Sequence, residues 1–283
     1  MKTKSLIAII FSILVLVVAL FLILNKSKKA TETSSEIAVG TKLLVNELPL
    51  SERPFTVLVP HSTNKLFTFV TINANKALAA TLDIEYLSGD LLKGARATLE
   101  TPISNPYIKA IILGSCSTGG KCSFDKDLKS GALKLKLNFA DQKVTHVLKG
   151  DFVFITGQNN LPDGKVIFTP SKATTNENLI LLNSFGLPKA VNKEILLYPI
   201  VISSVGDKSI VGSLSINQAG VTGVEIYDGQ NYQPLKYAEK EGVLTIAINN
   251  KPWSMKAEIT RDDEKGSKES LNLYLLGPIV LYK

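Results

Sequence analysis

The chain has 283 residues, 45% of them apolar and 20% charged, with a formal net charge of +7. The excess is local: the first thirty residues hold five lysines and no acid, and the remainder sets 27 basic side chains against 25 acidic ones. Only three arginines (Arg53, Arg96 and Arg261) supply the bidentate fork on which phosphate and base recognition lean, so no nucleic-acid partner is expected.

Leu6 to Leu24 is an apolar run broken by one serine and flanked by lysines. A bilayer-spanning helix needs roughly 20 apolar residues, so the run predicts a membrane anchor over residues 1–29. A cleaved signal peptide has a shorter apolar core followed by a small-x-small site, and Lys28 stands where the small residue before Ala30 would be needed. Lysines on both sides give the positive-inside rule almost no vote. The polar stretch Thr31 to Glu36, within a stalk over residues 30–47, and the cysteine pair below point to an extracytoplasmic C-terminal part.

Beyond the stalk, short apolar and β-branched runs recur between turn signals, the pattern of an all-β chain. Phe55 to Val59, Leu66 to Ile72 and Ala80 to Tyr86 read as strands, and Leu133 to Phe139 alternates most strictly, with leucines on one face and lysines on the other. Asp151 to Thr156 and Lys165 to Thr169 bracket Leu161-Pro162-Asp163-Gly164, a hairpin signal. Phe185-Gly186-Leu187-Pro188 interrupts the pattern, and further strands follow from Ile195 to Leu276. Length beyond the anchor favours two domains, and we expect β-sandwiches over residues 48–183 and 184–283, the second of immunoglobulin-like size.

From Phe67, the order FTFVTINANKALAATLDIEYLSGDLLKGARA resembles the opening of cohesin-like domains, which share a jelly-roll sandwich with several carbohydrate-binding modules. Phe67 to Ile72, Ala77 to Ala80, Leu82 to Tyr86 and Leu91-Leu92 stand at that family's strand, small-residue turn, aromatic-ended strand and following leucine. Gly131 to Leu135 and Lys165 to Leu182 are similar to its closing strands. Tyr86-Leu87-Ser88-Gly89-Asp90 departs from the family's Tyr-Asp-Pro turn, and no partner-binding residue carries over. The resemblance implies a jelly-roll fold for the first domain and leaves function open, since a sandwich hosts many roles.

Chemistry is sparse. Cys116 and Cys122, the only cysteines, flank Ser-Thr-Gly-Gly-Lys and are expected to form a disulfide in an oxidising compartment. A metal pair is disfavoured because zinc needs four ligands and no histidine lies nearby in sequence. His61 and His146 sit in polar contexts that read as surface positions, without a nucleophile motif. Asp125-Lys126-Asp127 and Asp262-Asp263-Glu264 read as solvated turns rather than glycosidase or calcium carboxylates. Tyr227, Tyr232 and Tyr237, with Trp253, form a candidate ligand-facing patch, although a lone tryptophan in a sandwich is commonly core. The expectation is a single-pass membrane protein held by Leu6 to Leu24 that binds a protein or glycan at the cell surface. It needs no cofactor, metal or catalytic residue; a carbohydrate-binding adhesin and a hydrolase are the alternatives.

Overall fold

The computed structural model describes residues 42–63, 65–118, 121–156, 159–174, 178–260 and 268–283. The expected membrane span, Leu6 to Leu24, lies outside them, as do Asp262, Asp263 and Glu264. Residues 42–283 form one compact unit.

The unit is built from strands. The first ten are β1 (Lys42–Val45), β2 (Phe55–Pro60), β3 (Leu66–Ile72), β4 (Ala79–Ser88), β5 (Leu91–Leu99), β6 (Tyr107–Ile112), β7 (Gly114–Cys116), β8 (Cys122–Phe124), β9 (Leu128–Asn138) and β10 (Val144–Phe154). Then come β11 (Val166–Pro170), β12 (Leu179–Asn183), β13 (Ile200–Ser204), β14 (Ile210–Asn217), β15 (Gly223–Tyr227) and β16 (Tyr232–Pro234). The last are β17 (Ala238–Lys240), β18 (Val243–Asn250), β19 (Trp253–Thr260) and β20 (Lys268–Tyr282).

One long sheet runs β16-β15-β20-β13-β12-β10-β9-β4-β5, with β1 added to β10 and β19 to β20. Sheet β2-β3-β6 covers one of its faces, and sheet β11-β14-β18-β17 supplies the second core. The allocation follows side-chain parity. Along β12, Ile180 and Leu182 enter the first core with Phe55, Phe67 and Phe69, whereas Leu179 and Leu181 enter the second with Phe168, Leu214 and Ile246. On β13, Val201 goes to the first core and Ile200 and Ile202 to the second. Strands buried on both faces need continuous apolar sequence, which LILLN and IVISS provide.

On β20 the parity changes partway. Leu273 and Leu275 belong to the first core, and Ile279 and Leu281 to the second. The pairing of β20 with β13 shifts by one residue between Ile202↔Leu276 and Ile200↔Ile279, a bulge at Gly277-Pro278. Gly277 has φ +102°, and a Cβ there would lie 2.7 Å from the Ile200 carbonyl oxygen, so the bulge requires glycine.

The all-β expectation holds. The expected boundary at residues 183/184 does not separate two sets of sheets: β12 pairs with β13 across it over five residues, and β11 pairs with β14 across it. The Gly-Pro cluster that suggested a linker is instead packed, with Phe185 only 2% exposed and a Gly186 Cβ position 2.1 Å from the Arg53 carbonyl oxygen. The Asp163-Gly164 turn does form, closed by the Leu161 amide on the Val166 carbonyl at 2.9 Å. It does not join β10 to β11 as a hairpin, however, because those strands go to different sheets.

Fragments 42–183 and 184–283 should each fail to unfold cooperatively by circular dichroism, because each loses half of both the long sheet and the second core. In the intact chain, Leu181→Ala should cost about 2–5 kcal/mol in a denaturant titration, since this fully buried side chain lies where the second core meets the long sheet.

Candidate functional site

A cleft of about 700 Å³ opens where β8 leads into β9. That volume lies within the usual range for a small-molecule site. Phe124, Leu128 and Phe154 supply apolar walls; Thr63, Lys65, Lys126, Asp127, Lys129 and Thr156 supply the polar lining.

One wall is the hairpin β7–β8, whose three-residue strands pair only with each other. Cys116 and Cys122 are register partners on it and form the expected disulfide. The Ser117 amide donates to the Lys121 carbonyl at 3.0 Å. At the other end of the hairpin, a Cβ on Gly114 (φ +148°) would lie 2.2 Å from the Ser123 carbonyl oxygen, so only glycine lets the two strands meet there.

The segment after the hairpin is fixed from behind. The Tyr86 hydroxyl donates to Asp125 at 2.6 Å, and the Lys93 ammonium lies 3.5 Å from the same carboxylate. Burial, followed by the hydrogen bond and negative charge of Asp125, pushes the Tyr86 hydroxyl well above its ordinary pKa, so it remains a donor. The Ser88 hydroxyl donates to the Lys126 carbonyl at 2.7 Å, and the Gly89 amide to that of Asp127 at 2.9 Å. Asp125 is thus a half-buried, neutralised anchor rather than a solvated turn residue, while Lys126 and Asp127 are exposed. The Lys65 ammonium lies 4.8 Å from the centre of the Phe124 ring, and Lys129 pairs with Asp90 at 3.2 Å.

His61 stands beside this cleft. Its Nδ1 accepts from the Thr63 amide at 3.4 Å, so the Thr63 hydroxyl, 3.1 Å away, acts as a second donor to the same atom. Nε2 is then the protonated nitrogen, and it faces Glu269 at 3.8 Å. Sequence reasoning missed this grouping because Glu269 is some two hundred residues away along the chain. The His146 expectation is corrected: alternation along β10 turns it inward beside Leu148, 6% exposed, edge-on to Phe139, with Nε2 against Gln142.

The tyrosines divide. Tyr227 and Tyr232 meet at a tilt of 51° with 5.1 Å between centroids, and Tyr227 meets Trp253 edge-on at 5.7 Å. Their hydroxyls donate to the carbonyls of Gly229 and Lys189, and the Trp253 indole N–H to that of Gly277 at 2.6 Å. Tyr237 packs instead against the second core, donating to the Val221 carbonyl at 3.3 Å. All three half-buried rings spend their polar ends on backbone.

A shallower groove of about 210 Å³ crosses the outer face of β4, β9 and β10. There the Arg96 guanidinium, then Lys136, hold Asp83 below the usual carboxylate range, while burial, then Asp163, raises Asp151. Among the described residues, no three His, Cys, Asp or Glu side chains are grouped to hold a metal. Compared with family models, characterised proteins and solved structures, the chain matches none.

The two carboxylates should act oppositely on stability. Asp83 contributes stability above its unfolded pKa of about 4 that is lost as pH falls through its lowered folded value; Asp151, with its pKa raised, opposes folding once ionised. In thermal melts at pH 7, Asp83→Asn should therefore lower the midpoint and Asp151→Asn raise it, with both differences shrinking toward pH 3.

Proposed function

We propose that the chain is a membrane-anchored binding protein that presents its β-unit outside the cell and captures a protein or glycan ligand in the cleft beside the disulfide hairpin. The cleft is the observation that carries this reading. It combines an apolar interior with exposed, unpaired polar ends at Lys126 and Asp127, and its backing residues are locked by Tyr86 and Lys93. Such a site is preformed, which lowers the ordering cost of binding. The apolar run Leu6 to Leu24 supplies the anchor, and the disulfide suits an oxidising exterior. On this reading the strands at Leu66–Ile72, Ala79–Ser88 and Leu128–Asn138 are in line with the cohesin-like resemblance, whereas β11, among its expected closing strands, lies in the sheet of the second core.

A hydrolase is the second reading, favoured by the Thr63–His61–Glu269 grouping. In it the Thr63 hydroxyl would yield its proton to His61 Nδ1, with Glu269 steadying the imidazolium. The Thr63 amide on that same nitrogen supports a turn contact instead, since a base that also holds backbone shares its lone pair.

Protease added to intact cells should remove the β-unit and leave a small membrane fragment. With full-length protein in lipid nanodiscs on glycan and peptide arrays, the capture signal should fall about tenfold, or 1.4 kcal/mol, with Lys126→Glu and persist with Tyr237→Phe. Signal that is indifferent to Lys126 but lost with Tyr232→Ala would move the site to the aromatic patch. Ester or glycoside turnover abolished by both His61→Ala and Thr63→Ala would replace binding by catalysis.

A further inference from the structure

Edge strands invite pairing with other chains, and most edges of this molecule are short, bounded by proline or covered. β16 has three residues ending in Pro234, and β17 has three. β11 ends at Pro170, β2 lies between Pro54 and Pro60, and β6 follows Pro106. β19 follows Pro252 and packs beside β6. β5 differs: it is nine residues long, ends the long sheet, contains no proline, and carries Leu91 and Leu92 at 65% and 68% exposure.

We propose that β5 pairs antiparallel with β5 of a second copy, joining two long sheets into one. The two-residue loop Gly89-Asp90 closes Ser88 on Leu91 as a hydrogen-bonded pair. By alternation, the amides and carbonyls of Leu92, Gly94, Arg96 and Thr98 then point away from β4. Two cations stand on this edge, where such residues normally deter pairing, and both are neutralised from behind: Lys93 by Asp125 at 3.5 Å and Arg96 by Asp83.

Self-pairing of the four outward residues admits few registers. Setting Arg96 opposite itself is repulsive. Setting Leu92 opposite Thr98 and Gly94 opposite Arg96 uses all four residues of each copy, places the small Ala95 on the two-fold axis, and lets Leu91 meet Leu99. Gly94 has room to spare, its Cβ position meeting only the Ile84 carbonyl oxygen at 3.5 Å. Behind it on β4 lies Glu85, an exposed carboxylate opposite Gly94 in the register. The stem of Arg96 of the second copy, its guanidinium held by Asp83 of its own chain, thus lies beside a notch with negative charge at its back. Charge and shape agree on this one arrangement, and it is independent of the cleft.

Cysteine cross-linking of the full-length protein in detergent reads the register directly. Ala95→Cys should form a disulfide dimer on mild oxidation, seen on a non-reducing gel, whereas Ala97→Cys, displaced from its counterpart along the strand, should not. Sedimentation of the unmodified chain should show a reversible dimer, weakened tenfold or more by Gly94→Lys, which fills the notch and engages Glu85 within its own chain. Thermal melts of each variant matching the parent separate this loss from misfolding. A chain monomeric up to on the order of 100 μM, equal cross-linking at positions 95 and 97, or a dimer untouched by Gly94→Lys would each overturn the proposal.

Discussion

The pairing of β12 with β13 is the contact on which the rest of the molecule depends. Two five-residue strands, joined by antiparallel hydrogen bonds, place every apolar side chain in one core or the other, so neither core can be completed without them. Two serines, one on β13 and one just beyond β12, tie these strands to β2. Ser203 donates to the Leu58 carbonyl at 2.6 Å, and the Thr56 amide donates to Ser184 at 3.0 Å, fastening β2 to the central strands by side chains where no ladder exists. A buried hydroxyl costs free energy unless it is hydrogen-bonded, so these contacts fix position as much as they stabilise.

The same geometry explains what the sequence does and does not disclose. Period-two alternation marks strands with one wet face, and Leu133 to Leu137 behave as read, with the leucines buried and Lys134 and Lys136 outward. Doubly buried strands carry no alternation, so LILLN and IVISS betray neither the shared sheet nor their partners. The Gly-Pro cluster between them is punctuation, and punctuation looks alike in a linker and in a packed turn. His146 misleads for a related reason: Lys143, Thr145 and Lys149 around it suggest a wet strand edge, but parity along β10 turns it inward with Leu148 and Phe152.

Of the candidate site, the cysteine pair was legible because two cysteines six residues apart, with no histidine nearby in sequence, favour a disulfide over a metal pair. The cleft was not. Its lining comes from Thr63 and Lys65, from Phe124 to Lys129, and from Phe154 and Thr156, three groups that meet only because β3, β9 and β10 are brought together by two different sheets. Asp125 reads as a loop carboxylate until Tyr86, on a neighbouring strand, supplies its hydrogen bond.

The hairpin β7–β8 is the exception to a structure otherwise held by buried apolar area. Its residues face solvent or are half-buried, and an isolated two-stranded ribbon is marginal in water. The cross-link between Cys116 and Cys122 supplies what packing does not, by removing conformations from the open loop. Phe124 and the backbone of Asp125 leave directly from that hairpin, and the Asp125 amide returns to the Leu113 carbonyl at 3.0 Å, so the wall of the cleft is held by the cross-linked hairpin on one side and by Tyr86 and Lys93 on the other. The two cores contain no cysteine, so the cross-link bears on this hairpin and the segment leaving it, while burial alone holds the cores.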